Sequence, residues 1–292
     1  MIRAAAPDRY ALIGHPVSHS WSPFIHGLFA RELLQNIDYG LIDAPPERFS
    51  GAALGFFADG GRGLNVTVPH KRAAAALSSE LTPRAAEAGA VNTMLPLPSG
   101  RLLGDNTDGI GLVTDLERNL GLALAGRRIL ILGAGGATRG IIGPLLACRP
   151  ALLAIVNRTA SRARELERAF AGRGPLVASG PDGVAAANFD LVINATAASL
   201  FGSAPEVPPA AIGPATVCYD LAYARADTPF TRLARARGAR AVHLGWGMLV
   251  EQAAEAFCVW RGIRPQTQPV LESLCAELGT PSTNGHPAGS RP

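Results

Sequence analysis

The stretch that most constrains the fold is Arg128-Ile129-Leu130-Ile131-Leu132-Gly133-Ala134-Gly135-Gly136-Ala137-Thr138-Arg139-Gly140, a short apolar run that breaks into glycines and resumes as helix-compatible sequence. It reads as strand, tight turn and helix start. Glycines at 133, 135 and 136 permit positive φ and let a ligand approach main-chain N–H groups, and the helix N-terminus beyond them favours a negative group. A pyrophosphate fits such a turn. The match to the dinucleotide fingerprint is imperfect, because the fifth residue after Gly133 is Thr138 where Gly or Ala is usual. A glycine turn that binds nothing would show the same pattern.

Strand-like and helix-like segments alternate on both sides of this turn, which predicts α/β architecture with parallel sheets. Apolar strands are expected over residues 9–14, 38–42, 63–67, 128–132, 152–156, 189–193, 216–219 and 240–244. Helices are expected over 24–34, about 45–58, 72–77, 109–120, 136–147, 160–171, 230–237 and 248–260. The chain has 292 residues, 48% hydrophobic and 17% charged, enough for one large or two medium cores. Its net charge of +4 is scattered rather than gathered in a basic run, and aromatics are only 6%, so a nucleic-acid stripe is excluded while anionic small molecules are not.

Cys148, Cys218, Cys258 and Cys275 are far apart, and Met1-Ile2-Arg3 is not followed by a signal-like apolar core. Both features predict a cytoplasmic protein with reduced thiols. No window has the eighteen or so apolar residues of a membrane span, and the histidines show no metal-ligand spacing, so neither membrane nor metal is expected. The Pro-, Ser-, Gly- and Asn-containing tail reads as disordered over 281–292.

Polar groups recur where strands end, which is where open α/β sheets hold ligands. After the first strand, Ser18, Ser20 and Ser22 share a loop with His19 before Pro23, although Ser22 alone reads equally well as a helix N-cap. In Asn65-Val66-Thr67-Val68-Pro69-His70-Lys71, alternation puts Asn65 and Thr67 on one face and Pro69 stops the strand. Lys71 then falls near a helix start, where a cation opposes the dipole and is poorly placed for stability alone. Ala90-Val91-Asn92-Thr93 and Gly104-Asp105-Asn106-Thr107-Asp108-Gly109 each read as the polar end of a β-like segment. If these ends converge, Asp108 can sit beside Lys71 as a general acid/base unit; the alternative for residues 104–109 is a turn and helix cap.

Beyond the second-domain strand at 152–156 stands Asn157-Arg158-Thr159-Ala160-Ser161-Arg162. An NAD site carries Asp or Glu here for the ribose hydroxyls, whereas neutral Asn157 with Arg158 and Arg162 suits a 2′-phosphate, hence NADP. Thr159 is also a candidate N-cap. The amphipathic 248–260 segment reads as a core-facing helix, with Gln252 placed to look into a cleft.

Taken together, Ser20-x-Ser22-Pro23, Asn65-Val66-Thr67-Val68-Pro69-x-Lys71, Ala90-Val91-Asn92-Thr93, Gly104-Asp105-Asn106-Thr107-Asp108, Gly133-Ala134-Gly135-Gly136 and Asn157-Arg158-Thr159 resemble the shikimate dehydrogenase family, over about residues 10–278. The resemblance implies an N-terminal α/β substrate domain with a mainly parallel sheet (1–107), a Rossmann NADP domain (108–245), and C-terminal helices (246–280) that return to complete the substrate domain. It implies hydride transfer between NADPH and 3-dehydroshikimate, giving shikimate. It assigns Ser20 and Ser22 to the substrate carboxylate and Asn65, Thr67, Asn92 and Gln252 to the ring hydroxyls, with Tyr223 among the substrate groups. Lys71 and Asp108 are implied as the catalytic pair. NADP is implied at Gly133, Ala134, Gly135, Gly136 and Ala137, at Asn157, Arg158, Thr159 and Arg162, and, beside Tyr223 on the nicotinamide side, at Leu221 and Gly245.

Trp21, bulky between the two serines, and Ala197-Ala198-Ser199-Leu200, where relatives commonly carry a Gly-containing turn, depart from the pattern. Two rival functions are an NAD-preferring quinate/shikimate dehydrogenase and a non-catalytic NADP- or ligand-binding regulator on the same fold. The partner expected is a small molecule, bound by a monomer or homodimer.

Overall fold

Apolar strands satisfy their backbone groups by pairing, and the computed structural model pairs them in two separate six-stranded sheets. It describes residues 6–183, 189–198 and 202–278. The expected tail at 281–292 lies outside the described residues, as do Ser199 and Leu200.

The first sheet holds β1 (Asp8–Gly14), β2 (Ile37–Asp43), β3 (Gly63–Val66), β4 (Glu80–Leu81), β5 (Thr93–Pro96) and β6 (Leu102–Asp105), in the order β2-β1-β3-β5-β6-β4. Pairing is parallel for β1 with β2 and β3 and for β4 with β6, but β5 runs antiparallel to both β3 and β6. The turn Leu97-Pro98-Ser99-Gly100, with Gly100 at φ +77°, reverses the chain from β5 into β6 as a hairpin. Asn92 therefore precedes a strand instead of ending one, a correction to the sequence reading. Reversal of β5 is what brings Asn92 to the same edge as the C-terminal ends of β3 and β6. The helices of this half are α1 (Ser22–Glu32), α2 (Phe49–Ala58), α3 (Lys71–Leu77) and α4 (Pro83–Ala88). Phe49, Leu64, Val66 and Met94 are buried in its core.

The second sheet holds β7 (Arg128–Leu132), β8 (Leu152–Val156), β9 (Leu176–Ser179), β10 (Leu191–Asn194), β11 (Val217–Asp220) and β12 (Ala241–Leu244), in the order β12-β11-β10-β7-β8-β9 and parallel throughout. This is the doubly wound order, with its switch point at β7. The unbroken apolar run of β7 has a direct cause: Ile129 and Ile131 enter the core on one face, Leu130 and Leu132 the core on the other. Helices α6 (Gly136–Ala147), α7 (Ala160–Ala169) and α8 (Pro229–Ala236) flank the sheet.

Two helices carry the chain between the sheets. One is α5 (Asp108–Thr114), prolonged by a π-helical turn over Asp115–Asn119; the other is α9 (Trp246–Arg261). A Cβ built on Gly111 would stand 2.6 Å from the Gln252 Cβ, so the two helices cross almost backbone to backbone. The final helix α10 (Gln268–Leu278) packs with α9 and α1 around Ile25, Phe29, Val250, Phe257 and Leu274. Trp260 Nε1 adds a hydrogen bond to the Met94 carbonyl, 3.1 Å. The helix expected at 45–58 is a 3₁₀ turn at Pro46–Arg48 followed by α2.

Candidate active site

Pro69 ends the extended run after β3, and Lys71 becomes the first residue of α3. Asp108 occupies the same position in α5, after the polar turn that leaves β6. Two strand ends at one sheet edge thus deliver two helix starts, and Lys71 Nζ donates to Asp108 Oδ2 at 2.5 Å. Both side chains are largely buried, 14% and 5% exposed. A carboxylate at a helix N-terminus is favoured by the dipole and a lysine is not, so the pair offsets what Lys71 loses there.

Around the pair lies a connected polar network. Asn92 Nδ2 reaches Asp108 Oδ1 at 2.8 Å, Thr107 Oγ1 at 2.9 Å and Gln252 Oε1 at 3.3 Å. Asn106 Oδ1 accepts from the Asp108 N–H at 3.1 Å. Asn65, also buried, donates to the Asn92 carbonyl and to Thr93 Oγ1, each at 3.3 Å, while its own Oδ1 accepts from the Tyr39 hydroxyl at 2.7 Å. Asn65, Asn92, Asp108 and Gln252 are thereby joined into one constellation with Lys71. Thr67 follows β3 at the same edge and is half-buried.

Tyr39, Asn106 and Thr107 escaped the sequence reading as site groups. Tyr39 lies on β2, one strand removed from Asn65, and no spacing links them; only the strand order reveals it. Asn106 and Thr107 stood in a motif already singled out, and their hydrogen-bonding capacity was the available signal.

Ser20 and Ser22 share a hydrogen bond, Oγ to Oγ at 3.2 Å, and Ser20 Oγ accepts from the Ser22 N–H at 3.2 Å. Ser22 is the first residue of α1 and makes no side-chain cap, with Trp21 at the N-cap position, so the capping alternative is not what the structure adopts. Ser20 contributes to a cavity of about 610 Å³ together with Tyr223. Burial pushes the phenols of Tyr39 and Tyr223 up from their ordinary range, with Ser22 beside the first and Ser20 beside the second.

The glycine turn comes to this site from the second sheet. Gly133 has φ +106°, and a Cβ there would stand 3.0 Å from Thr196 Cγ2, so the turn admits only glycine without a shift. Nothing lies within 4 Å of a Cβ on Gly135, which leaves room for a ligand at the start of α6. A Cβ on Gly136 would meet Lys71 Cβ at 3.5 Å, and one on Gly140 would meet Asp108 Oδ2 at 3.1 Å. Ala134 and Ala137 complete the turn. Thr138, the departure from the fingerprint, is fully buried and donates from Oγ1 to the Gly133 carbonyl at 3.0 Å, closing the turn on itself.

At the end of β8, Asn157 Nδ2 donates to the Thr159 carbonyl at 2.9 Å, and Arg158 and Arg162 are exposed. Thr159 sits at the N-cap position of α7 but makes no side-chain cap bond, a second correction; its hydroxyl is not engaged by the helix. Leu221 and Gly245 meet where β11 and β12 end, with a Cβ on Gly245 only 2.5 Å from the Leu221 carbonyl oxygen. The open cradle at Gly135 and the cations beyond β8 fit a phosphorylated dinucleotide. Among the described residues no cluster of metal-ligating side chains occurs and no helix is long and apolar enough to cross a membrane.

A doubly wound sheet whose glycine turn abuts a buried lysine–carboxylate pair is the arrangement of a nicotinamide-dependent oxidoreductase. Family models place it further: the shikimate dehydrogenase substrate binding domain matches residues 12–94, the shikimate/quinate 5-dehydrogenase model 115–205, and the shikimate 5′-dehydrogenase C-terminal domain 245–275. The shikimate dehydrogenase (NADP(+)) of Methylococcus capsulatus is 54% identical over 274 residues, covering 94% of this chain and 98% of the relative. An Ael1 enzyme from Pseudomonas putida superposes with TM-score 0.83 at 45% identity, over 91% of this chain and 98% of that one. The shikimate 5-dehydrogenase of Thermus thermophilus, solved with NADP(H) and shikimate, superposes with TM-score 0.79 at 33% identity, over 93% of this chain and 99% of that one. The chain belongs to the shikimate dehydrogenase family.

Proposed function

We propose that this chain catalyses the reversible NADP-dependent reduction of 3-dehydroshikimate to shikimate in aromatic amino-acid biosynthesis, with Lys71 and Asp108 managing the proton. The observation that carries the reading is the 2.5 Å Lys71–Asp108 pair lying directly under the glycine turn at Gly136. NADPH, when bound, supplies the hydride. Reduction of a ketone also needs a proton at the oxygen, and Lys71 Nζ has hydrogens to give and a charge that stabilises the developing oxyanion. Asp108 Oδ2 holds that ammonium in place, and Asn92 fixes the carboxylate from its other oxygen. In the oxidative direction the same pair takes the proton back.

In this reading Ser20 and Ser22 hold the substrate carboxylate, and Asn65, Thr67, Asn92 and Gln252 sort its ring hydroxyls. Tyr223 closes the carboxylate end. Gly133, Ala134, Gly135, Gly136 and Ala137 cradle the pyrophosphate, Asn157, Arg158, Thr159 and Arg162 meet the 2′-phosphate, and Leu221 and Gly245 line the nicotinamide side. Residues 1–107 with the returning helices act as the substrate domain and 108–245 as the cofactor domain. Every group in this reading comes from a single chain. A cytoplasmic setting agrees with its four unpaired cysteines.

Steady-state rates with shikimate or quinate, each with NADP or NAD, test the assignment. The expected result is that shikimate with NADP exceeds every other combination in kcat/KM by about a hundredfold or more, since arginines that hold a 2′-phosphate favour NADP over NAD and a site fitted to a planar, unsubstituted carboxylate-bearing carbon disfavours the extra C1 hydroxyl of quinate. A quinate or NAD preference would make the first rival correct, and no turnover with any combination would make it a regulator.

A further inference from the structure

Trp21 stands between the two serines, and neither the acid–base pair nor the glycine turn uses it. Its ring carries the Arg225 guanidinium at 5.4 Å from the centroid. Trp21 also meets Trp246 edge-on at 6.2 Å, and Trp246 packs on Tyr223 at 5.0 Å. These side chains wall the same cavity of about 610 Å³ onto which Ser20 opens. Arg225 is the one lysine or arginine among the residues lining it. The Trp246 Nε1 donor at this wall is buried without a hydrogen-bond partner.

Two serine hydroxyls can donate hydrogen bonds to a carboxylate, but they bring no net charge, and a carboxamide oxygen accepts the same bonds. A cation in the same cavity separates the acid from its neutral isostere. Arginine keeps its charge at any working pH and lies flat on an aromatic face with its N–H groups directed outward around the ring plane. Trp21 is therefore a perch that keeps the guanidinium on the cavity that Ser20 also lines. Arg225 lies on the segment after β11, whereas Trp21 precedes α1, so the contact also spans the two sheets' halves.

We propose that Arg225, held on Trp21, is a specificity-determining residue that selects a substrate bearing a carboxylate. The inference rests on Ser20 and Ser22 as the carboxylate hydroxyls. Arg225 is itself exposed, so its contribution is that of an ion pair in an open cleft and is weakened by salt.

The test compares shikimate with its carboxamide in the full-length enzyme. Arg225→Gln is expected to raise the KM for shikimate about fivefold, near the upper end for one exposed ion pair, with kcat changed less than about twofold. The variant should also lose most of the salt dependence of kcat/KM, and it should use the carboxamide as well as the parent does. Arg225→Lys should recover most of the loss, because the charge is kept. An equal KM change with the carboxamide would show that Arg225 merely shapes the cavity, and an unchanged shikimate KM would remove it from recognition altogether; either result overturns the proposal. Ser22→Ala separates the two layers: if it leaves the shikimate KM unchanged, the carboxylate assignment fails, whereas a raised KM there with no effect at Arg225 refutes only the role of Arg225.

Discussion

His26 is fully buried on α1, with its ring stacked on Tyr39 at 4.3 Å between centroids and neither ring nitrogen hydrogen-bonded. Burial holds its imidazole far below the ordinary range, at about 3, against a smaller opposing pull from Asn65. The unfolded chain takes up a proton near pH 6.5 that the folded chain refuses until about pH 3, so stability falls as pH falls through that window. The slope approaches about 1.4 kcal/mol per pH unit once the unfolded histidine is protonated. His26→Phe keeps the stack and removes the titration. Its urea midpoint should therefore vary less between pH 6 and 4 than that of the parent, and an equal variation in both would contradict the assignment. The histidine was visible in the sequence but its surroundings were not: the stack on Tyr39 and the tilted contact with Trp260 join residues from three separated segments.

Among the elements, the crossing of α5 and α9 places Gln252 beside Asn92 and Thr107. Gly111 makes that crossing possible, since a Cβ there would meet the Gln252 backbone nitrogen at 2.7 Å, a contact no rotamer can relieve. Gly111→Ala should destabilise the fold by about 1–3 kcal/mol, as overpacking does, and should raise the KM for shikimate by shifting Gln252. A thermal melt and KM matching the parent's would show that the helices can separate at no cost.

The strand–helix alternation was legible because a parallel strand buried on both faces must be apolar along its length, as β7 is. The reversed β5, the two-residue β4, the edge strand β9 and the helices α4 and α10 were not read. Residues 80–81, 93–96 and the four of β9 (Leu176–Ser179) are too short for periodicity to register, and β9 is hemmed in by the loop-forming Pro175 and Gly180. The π-helical turn at Asp115–Asn119 likewise breaks a repeat that the sequence reads as continuous helix.

For the whole molecule, the two sheets present their C-terminal edges to one another, so a site formed at the edge of one is covered by the glycine turn of the other. Six short motifs scattered over the chain fall together for this reason: five end or follow a strand, and the sixth, around Asn92, opens the reversed β5 at the same edge. Lys71 and Asp108 could be paired from the sequence because their types suit the chemistry, and Asn65 and Asn92 through the family resemblance, but the approach of Gly136 to Lys71, which sets cofactor against acid–base pair, needed the relative placement of the sheets. In the function proposed above, that placement divides the labour: the second sheet holds the hydride source and the first supplies the proton.

The most direct measurement is the turnover of Lys71→Ala with shikimate and NADP, set beside its dissociation constant for shikimate. The predicted result is a kcat lower by about a hundredfold to ten-thousandfold, the range for losing the general base that takes the hydroxyl proton in this direction, with shikimate affinity changed only a few-fold. Near-normal turnover, or a loss explained entirely by weaker binding, would contradict the account.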